Sequence, residues 1–281
     1  MRWLVMGARG MLGQDLVRQL RDRGDDVSAL DREEVDIADP VATQAAVAGH
    51  DLVVNCAAWT AVDDAEAQEA AAFVVNAVGA ASVARATAVH GVRVVHISTD
   101  YVFDGAATEP YAEGDPLAPR SAYGRTKSAG EWAVRAEAAD HLIIRTAWLY
   151  GAGGPCFPKT IARAARERGR LDVVEDQVGQ PTWTVDLADL VLRLVDAGAP
   201  VGTYHGTSSG QTSWHGFARA VVGAVGLDPA IVRPTTSQVV VRPAPRPAYS
   251  VLGHEALQRV GVVPIGDWEQ RWEAAAPVVL G

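Results

Sequence analysis

The sequence predicts an α/β fold: a doubly wound parallel sheet covered by helices on both faces, followed by a smaller C-terminal lobe. Three observations lead there. Short Val-, Leu- and Ile-rich runs alternate with longer helical stretches through the first 150 residues, the pattern of successive βαβ units. These runs are mostly apolar rather than alternating, as strands buried on both faces are. The first of them leads straight into Gly7-Ala8-Arg9-Gly10-Met11-Leu12-Gly13, a Gly-rich turn between a strand and a helix.

Each element follows from its residues. Residues 3–6 form a first strand. Residues 11–23 are an amphipathic helix, with Leu12, Leu16, Val17 and Leu20 at helical spacing. Residues 25–30 lead into a second strand that ends at Asp31. Residues 41–48 form a short helix and 52–56 a third strand. The Ala-rich stretch 65–90 is helical, and the Val-rich stretch 92–97 is a fourth strand. Residues 122–138 form the next helix and 142–145 a fifth strand. Beyond Tyr150 the pattern loosens at Gly151-Ala152-Gly153-Gly154-Pro155. Residues 187–197 are helical again and 202–205 read as a further strand. The expected organisation is a nucleotide-binding domain over 1–150, to which 183–206 returns. A substrate lobe is then built from 151–182 and 207–281.

Composition narrows the function. The 281 residues are 48% hydrophobic and 21% charged, as in a soluble globular protein. A net charge of -9 repels a phosphate backbone, which argues against nucleic acid as a partner. Two cysteines, Cys56 and Cys156, make neither a disulfide framework nor a zinc motif. The N-terminus is not a signal peptide, and no apolar run approaches the roughly 18–20 residues of a membrane span. The expectation is a cytoplasmic protein without a membrane partner.

The glycine loop fits G-x-x-G-x-x-G. Glycines there let the backbone approach a pyrophosphate, and the helix N-terminus faces its charge. With an acid closing the second strand, the context is that of a Rossmann-type dinucleotide site. Asp31 is placed to accept from the adenosine ribose hydroxyls, which favours NADH. Arg9 and Arg32 could instead neutralise a 2′-phosphate and favour NADPH, so the cofactor is NADPH or NADH. Asp36-Ile37 can meet the adenine edge, unless Asp36 merely caps the following turn. Small residues after the third strand, Ala57 and Ala58, leave room for cofactor contacts.

The chemistry centres on Tyr123-Gly124-Arg125-Thr126-Lys127. Four residues apart, Tyr123 and Lys127 share one helix face. An ammonium beside a phenol favours the phenolate and is expected to lower the Tyr123 pKa from its usual value of about 10. Such a Tyr can protonate a carbonyl oxygen as hydride reaches the carbon. Lys127 would also hold the nicotinamide ribose. Ser98-Thr99-Asp100 follows the fourth strand, at the carboxyl edge where ligands bind. Thr99 can hydrogen-bond a substrate carbonyl, or serve only as a turn hydroxyl.

Together these stretches resemble the dTDP-4-dehydrorhamnose reductases, a branch of the extended short-chain dehydrogenases, over nearly the whole chain. The likeness is carried by Ser98-Thr99-Asp100-Tyr101-Val102-Phe103-Asp104-Gly105, Tyr123 to Glu131, and Arg145-Thr146-Ala147-Trp148-Leu149-Tyr150. Asp176-Gln177-Val178-Gly179-Gln180-Pro181-Thr182 and Arg246-Pro247-Ala248-Tyr249-Ser250-Val251-Leu252 follow in family order. The resemblance implies Tyr123 as proton donor, Lys127 as its partner and Thr99 as the orienting hydroxyl. It implies cofactor contacts at Gly7, Gly10, Met11, Asp31, Asp36, Ile37, Ala57, Ala58, Thr60 and Ile97, besides Tyr123 and Lys127. It implies sugar-nucleotide contacts at Thr99, Asp100, Tyr123 and Trp148.

Trp148 offers an indole N–H and a flat apolar face to a deoxysugar; packing between the lobes is its alternative. Arg246 can meet a diphosphate bidentately or make a structural salt bridge. Trp183 and Trp214 read as core. Some family members carry magnesium at a dimer interface, so magnesium and a homodimer come into view by resemblance only. Glu255, Glu269 and Glu273 are scattered and no metal ligand is assigned. The implied reaction is NAD(P)H-dependent reduction of the C4 ketone of dTDP-4-dehydro-L-rhamnose. Two alternatives stand beside it: a 4-ketoreductase for another dTDP-4-keto-6-deoxyhexose in an antibiotic pathway, and a non-catalytic NADP-binding regulatory subunit.

Overall fold

Six short strands pair in parallel to form the centre of the molecule: β1 (Arg2–Met6), β2 (Asp26–Leu30), β3 (Leu52–Asn55), β4 (Arg93–Thr99), β5 (His141–Thr146) and β6 (Gly202–His205). Their order is β2-β1-β3-β4-β5-β6. The chain runs outward from β1 to β2, then returns to β1's other side with β3. That reversal opens a crevice at the carboxyl edge between β1 and β3. The computed structural model describes all 281 residues.

Helices cover both faces. On one, α1 (Met11–Asp22) packs Leu12, Leu16, Val17 and Leu20 against the sheet. On the other lie α2 (Pro40–Val47), α3 (Glu69–His90) and α4 (Ala122–Glu137). Asp39 caps α2, accepting from Val41 N and Ala42 N, with Pro40 at its first position. Ser121 caps α4 through Gly124 N.

The Ala-rich stretch is not one uninterrupted α-helix. A short helix, Val62–Ala67, precedes α3, and α3 opens into a π-helical turn at Val74–Gly79. At 22 residues and mean hydropathy 1.5, α3 has the length and composition to cross a membrane, which revises the reading of the apolar runs. Its alanines carry that hydropathy, and 61% of the apolar window is buried, with Ala80, Val83 and Ala84 packed towards the sheet.

After β5 the chain builds a second core from α5 (Phe157–Arg168), α7 (Trp214–Ala224) and α8 (Trp268–Leu280). The strand pair Leu171–Val174 and Val232–Thr235 packs with them. Between these segments α6 (Thr184–Asp196) returns to pack Leu187, Leu190, Val191 and Leu194 into the first core beside α1, and β6 joins the sheet. Ala256, Leu257, Val262 and Ile265, which lie in the stretch expected to build the smaller lobe, also belong to the first core.

Candidate active site

A cavity of about 670 Å³ lies along the carboxyl edge of β1, β3, β4 and β5. Gly7 sits at its floor with φ 74°, a left-handed conformation that glycine adopts without cost. A Cβ on Gly7 would lie 2.6 Å from Ala57 N, so the β1 and β3 loops approach as closely as they do only because none is there. Of the residues implied from the sequence, all line this cavity except Arg246. Arg246 is instead ion-paired with Asp63 at 2.9 Å and donates to the Ala244 carbonyl. The salt-bridge alternative therefore describes it in this structure.

Tyr123 and Lys127 stand on the first turns of α4. Lys127 is 2% exposed; its Nζ donates to the Ile97 carbonyl at 2.7 Å and lies 3.4 Å from His96 Nε2. Burial lowers its pKa to about 8. His96 is held well below its ordinary value, first by burial and then by the Lys127 charge. The imidazole is therefore neutral at pH 7, and Asn55 Nδ2 lies 3.3 Å from its other nitrogen.

The expected lowering of the Tyr123 pKa is not found. Burial raises it to about 12; the Thr99 hydroxyl pulls it down and the Asp100 charge adds to the rise. The physical reason is that the Lys127 ammonium is directed to a backbone carbonyl rather than the phenol. Tyr123 is accordingly protonated at neutral pH. The edge of Tyr101 packs on it with ring centroids 5.6 Å apart.

Thr99 has both of the roles its sequence position allowed. Its Oγ1 accepts from Tyr101 N at 3.2 Å, capping a 3₁₀ turn, and donates to Asp100 Oδ1 at 2.9 Å. Asp100 is 2% exposed and burial raises its carboxyl to about 6, although the Thr99 hydroxyl donates to it. Its Oδ2 has no hydrogen-bond partner. That oxygen is shut off from solvent, and leaving a buried carboxylate oxygen unpaired is costly.

Trp148 is the one non-glycine residue with positive φ, 47°, a conformation a bulky residue adopts only under constraint. Its ring stacks on Trp214, centroids 3.6 Å apart and planes 9° off parallel. On its other side is Gly179, where a Cβ would lie 2.6 Å from the indole. Trp214 therefore belongs to the wall that positions Trp148, besides packing against the second core.

Several residues that hold the site together were not singled out in the sequence. Asn76, 1% exposed in the π turn of α3, clamps the loop after β3: its Oδ1 accepts from Trp59 N at 2.8 Å and its Nδ2 donates to Trp59 O at 3.1 Å. The same Nδ2 donates to Thr126 Oγ1 of α4 at 3.0 Å. π-Turns of this kind occur often at functional sites, but an Asn among alanines carries no such signal in sequence. Glu131, fully buried, accepts from Ser98 Oγ at 2.6 Å and from Arg145 Nε and Nη2 at 2.9 Å each. Burial alone would push its carboxyl up; Arg145, Ser98 and Arg135 reverse this and hold it below its ordinary value.

The residues fit a dinucleotide. A glycine cradle, a helix N-terminus and an acid at the end of β2 line one end of the cavity, and Thr99, Tyr123 and Lys127 the other. A metal has no comparable site: no group of three or more His, Cys, Asp or Glu side chains is placed to hold one, and Glu255, Glu269 and Glu273 are exposed.

Comparison with known proteins agrees with the geometry. The model of the RmlD substrate binding domain family matches residues 1–278. A probable dTDP-4,6-dihydroxy-2-methyloxan-3-one 4-ketoreductase of Streptomyces antibioticus is 48% identical over 100% of this chain and 96% of its own. A dTDP-4-dehydrorhamnose reductase of Streptomyces griseus is 47% identical over 100% of this chain and 94% of its own. The crystal structure of a dTDP-4-dehydrorhamnose reductase from Bacillus anthracis, in complex with NADP, superposes with a TM-score of 0.94 at 36% identity, covering 98% of both chains. The cavity, the sheet and these full-length matches lead to one conclusion: the chain belongs to the dTDP-4-dehydrorhamnose reductase family.

Proposed function

We propose that this protein reduces the C4 ketone of dTDP-4-dehydro-L-rhamnose to dTDP-L-rhamnose. The observation that carries the reading is that one cavity joins the Gly7 loop to Thr99, Tyr123 and Lys127. Gly7, Gly10, Met11, Asp31, Asp36, Ile37, Ala57, Ala58, Thr60 and Ile97 would hold the nicotinamide cofactor. When bound, that cofactor supplies the hydride that adds to the sugar C4 carbon. The carbonyl electron pair then moves to oxygen, and Tyr123 transfers its phenolic proton there. Thr99 orients the carbonyl beside Tyr123. Lys127, charged at neutral pH, would bind the ribose. Asp100 and Trp148 would hold the sugar, Trp148 through its ring. The two free cysteines support a reducing, cytoplasmic setting.

The test is nicotinamide oxidation with dTDP-4-dehydrorhamnose generated in situ. Tyr123→Phe should lower kcat by roughly 10²–10⁴, the usual worth of a positioned acid. Near-normal turnover in that variant, with its fold intact, would rule out Tyr123 as donor. The Streptomyces antibioticus relative favours a second reading, the same chemistry on another dTDP-4-keto-6-deoxyhexose. Turnover of such a sugar, with none of dTDP-4-dehydrorhamnose, would select it. Nucleotide binding without turnover of any keto-sugar would point to the regulatory role.

A further inference from the structure

Beneath Lys127 the sheet presents two buried polar side chains, Asn55 on β3 and His96 on β4, which are neighbours in the parallel register. The backbone settles which way each one points. Asn55 Oδ1 accepts from Ala57 N at 3.1 Å, and a backbone N–H is a donor only. The other end of the amide, Nδ2, is therefore the atom 3.3 Å from His96 Nδ1. An amide N–H there needs a bare ring nitrogen, so Nδ1 is the acceptor. The buried imidazole is neutral and carries one proton, which leaves that proton on Nε2, facing Lys127 Nζ. The distances agree. Nζ meets the Ile97 carbonyl at 2.7 Å but stands 3.4 Å from Nε2, beyond the roughly 2.7–2.9 Å of a charge-assisted hydrogen bond.

An ammonium has three donors and no acceptor, whereas the amine has a lone pair that can take the Nε2 hydrogen bond. We propose that His96, its proton held on Nε2 by Asn55, is a positioning residue for Lys127: it denies the ammonium an acceptor on the sheet side, which turns the free N–H groups to the cavity and makes the proton easier to lose. The proposal rests on the reductase reading above, in which Lys127 binds the ribose. Two other titratable groups act on Lys127, Glu131 one turn along α4 and Cys56 in the turn after β3, and both favour its charge. Glu131 is engaged by Arg145, Arg135 and Ser98, and burial raises Cys56 to about 12. On His96, the Arg135 charge acts in the same sense as that of Lys127, against protonation of the ring.

Two measurements test it. In protein carrying isotope-labelled histidine, the nitrogen resonances of the imidazole report the tautomer directly, and His96 should show a protonated Nε2 and a bare Nδ1. The other is the pH profile of kcat/KM for the keto-sugar in His96→Leu. Removing an N–H aimed at the ammonium should move the alkaline limb up by about one pH unit, the worth of one hydrogen bond to a charged group. The fall from pH 7 to pH 9, about tenfold in the native chain, should shrink to about twofold. A role in packing alone would lower activity by the same factor at every pH. A limb left in place or moved down would overturn the proposal, as would a proton on Nδ1 in the spectrum. The spectrum needs no turnover, so it decides the tautomer whether or not His96→Leu folds. Native protein that binds the nicotinamide cofactor but reduces no keto-sugar would overturn the reductase reading and the role of His96 with it, whatever the tautomer.

Discussion

Activity should fall as pH rises through about 8, and the group responsible should be Lys127. Burial lowers its pKa to about 8, so about nine-tenths of the molecules carry the charge at pH 7 and about one-tenth at pH 9. The sign follows from its role: the charged form binds the ribose, and it is lost as pH rises. No other group facing this part of the cavity titrates there. Burial raises both Tyr123 and Cys56 to about 12, His96 lies well below its ordinary value, and Asp100 titrates at about 6. The assay is kcat/KM for the keto-sugar against pH, which reports groups of the enzyme before the sugar binds. It should drop about tenfold per pH unit on the alkaline side. Lys127→Arg keeps its charge throughout, since guanidinium does not titrate in this range. That variant should be slower but lack the alkaline limb. A limb that stays near pH 8 in Lys127→Arg, or a profile flat to pH 10, would refute the assignment.

Two further outcomes follow from the walls of the site. Glu131→Gln leaves Arg145, 1% exposed, without its buried counter-charge and should cost about 3–5 kcal/mol. With about 2.1 cal/mol/K per residue over 281 residues, that is a fall of roughly 5–8 °C in melting temperature by calorimetry. Because the Glu131 carboxyl is held below its ordinary value, this advantage is present above the usual carboxylate range and is lost as pH falls below that range to the lowered value of the folded state; an unshifted melting temperature at pH 7 would count against the buried pair. Gly179→Ala places a Cβ 2.6 Å from the Trp148 indole, an overpacking worth about 1–3 kcal/mol. It should raise KM for the sugar nucleotide about tenfold or more and leave cofactor affinity alone, whereas unchanged KM would remove Trp148 from the sugar site.

Much of this was legible in residue order because the signals are local. A strand covered on both faces must be apolar throughout, so β1, β3, β4 and β5 announced themselves. The Gly7 turn carries its own spacing, and a four-residue interval sets Tyr123 and Lys127 on one face before any tertiary contact forms. The limits of the elements moved by a few residues, since end residues are decided by caps such as Asp39 and Ser121. Only in α3 did helical spacing mislead, because the insertion that makes the π turn leaves no mark in an Ala-rich run.

What the chain's order could not hold is the direction each side chain takes once elements far apart in sequence meet. Spacing alone suggested that Lys127 lowers the Tyr123 pKa; the carbonyl of Ile97, 30 residues away, captures the ammonium instead. Asn76 clamps Trp59 and Thr126, and Glu131 binds Ser98 and Arg145, across separations that no local pattern records. The residue types that do the chemistry are thus written in the sequence, since they depend on composition and near spacing. Their protonation, partners and reach were decided only by tertiary structure, since charge and hydrogen bonding depend on distance in space and on the exclusion of water.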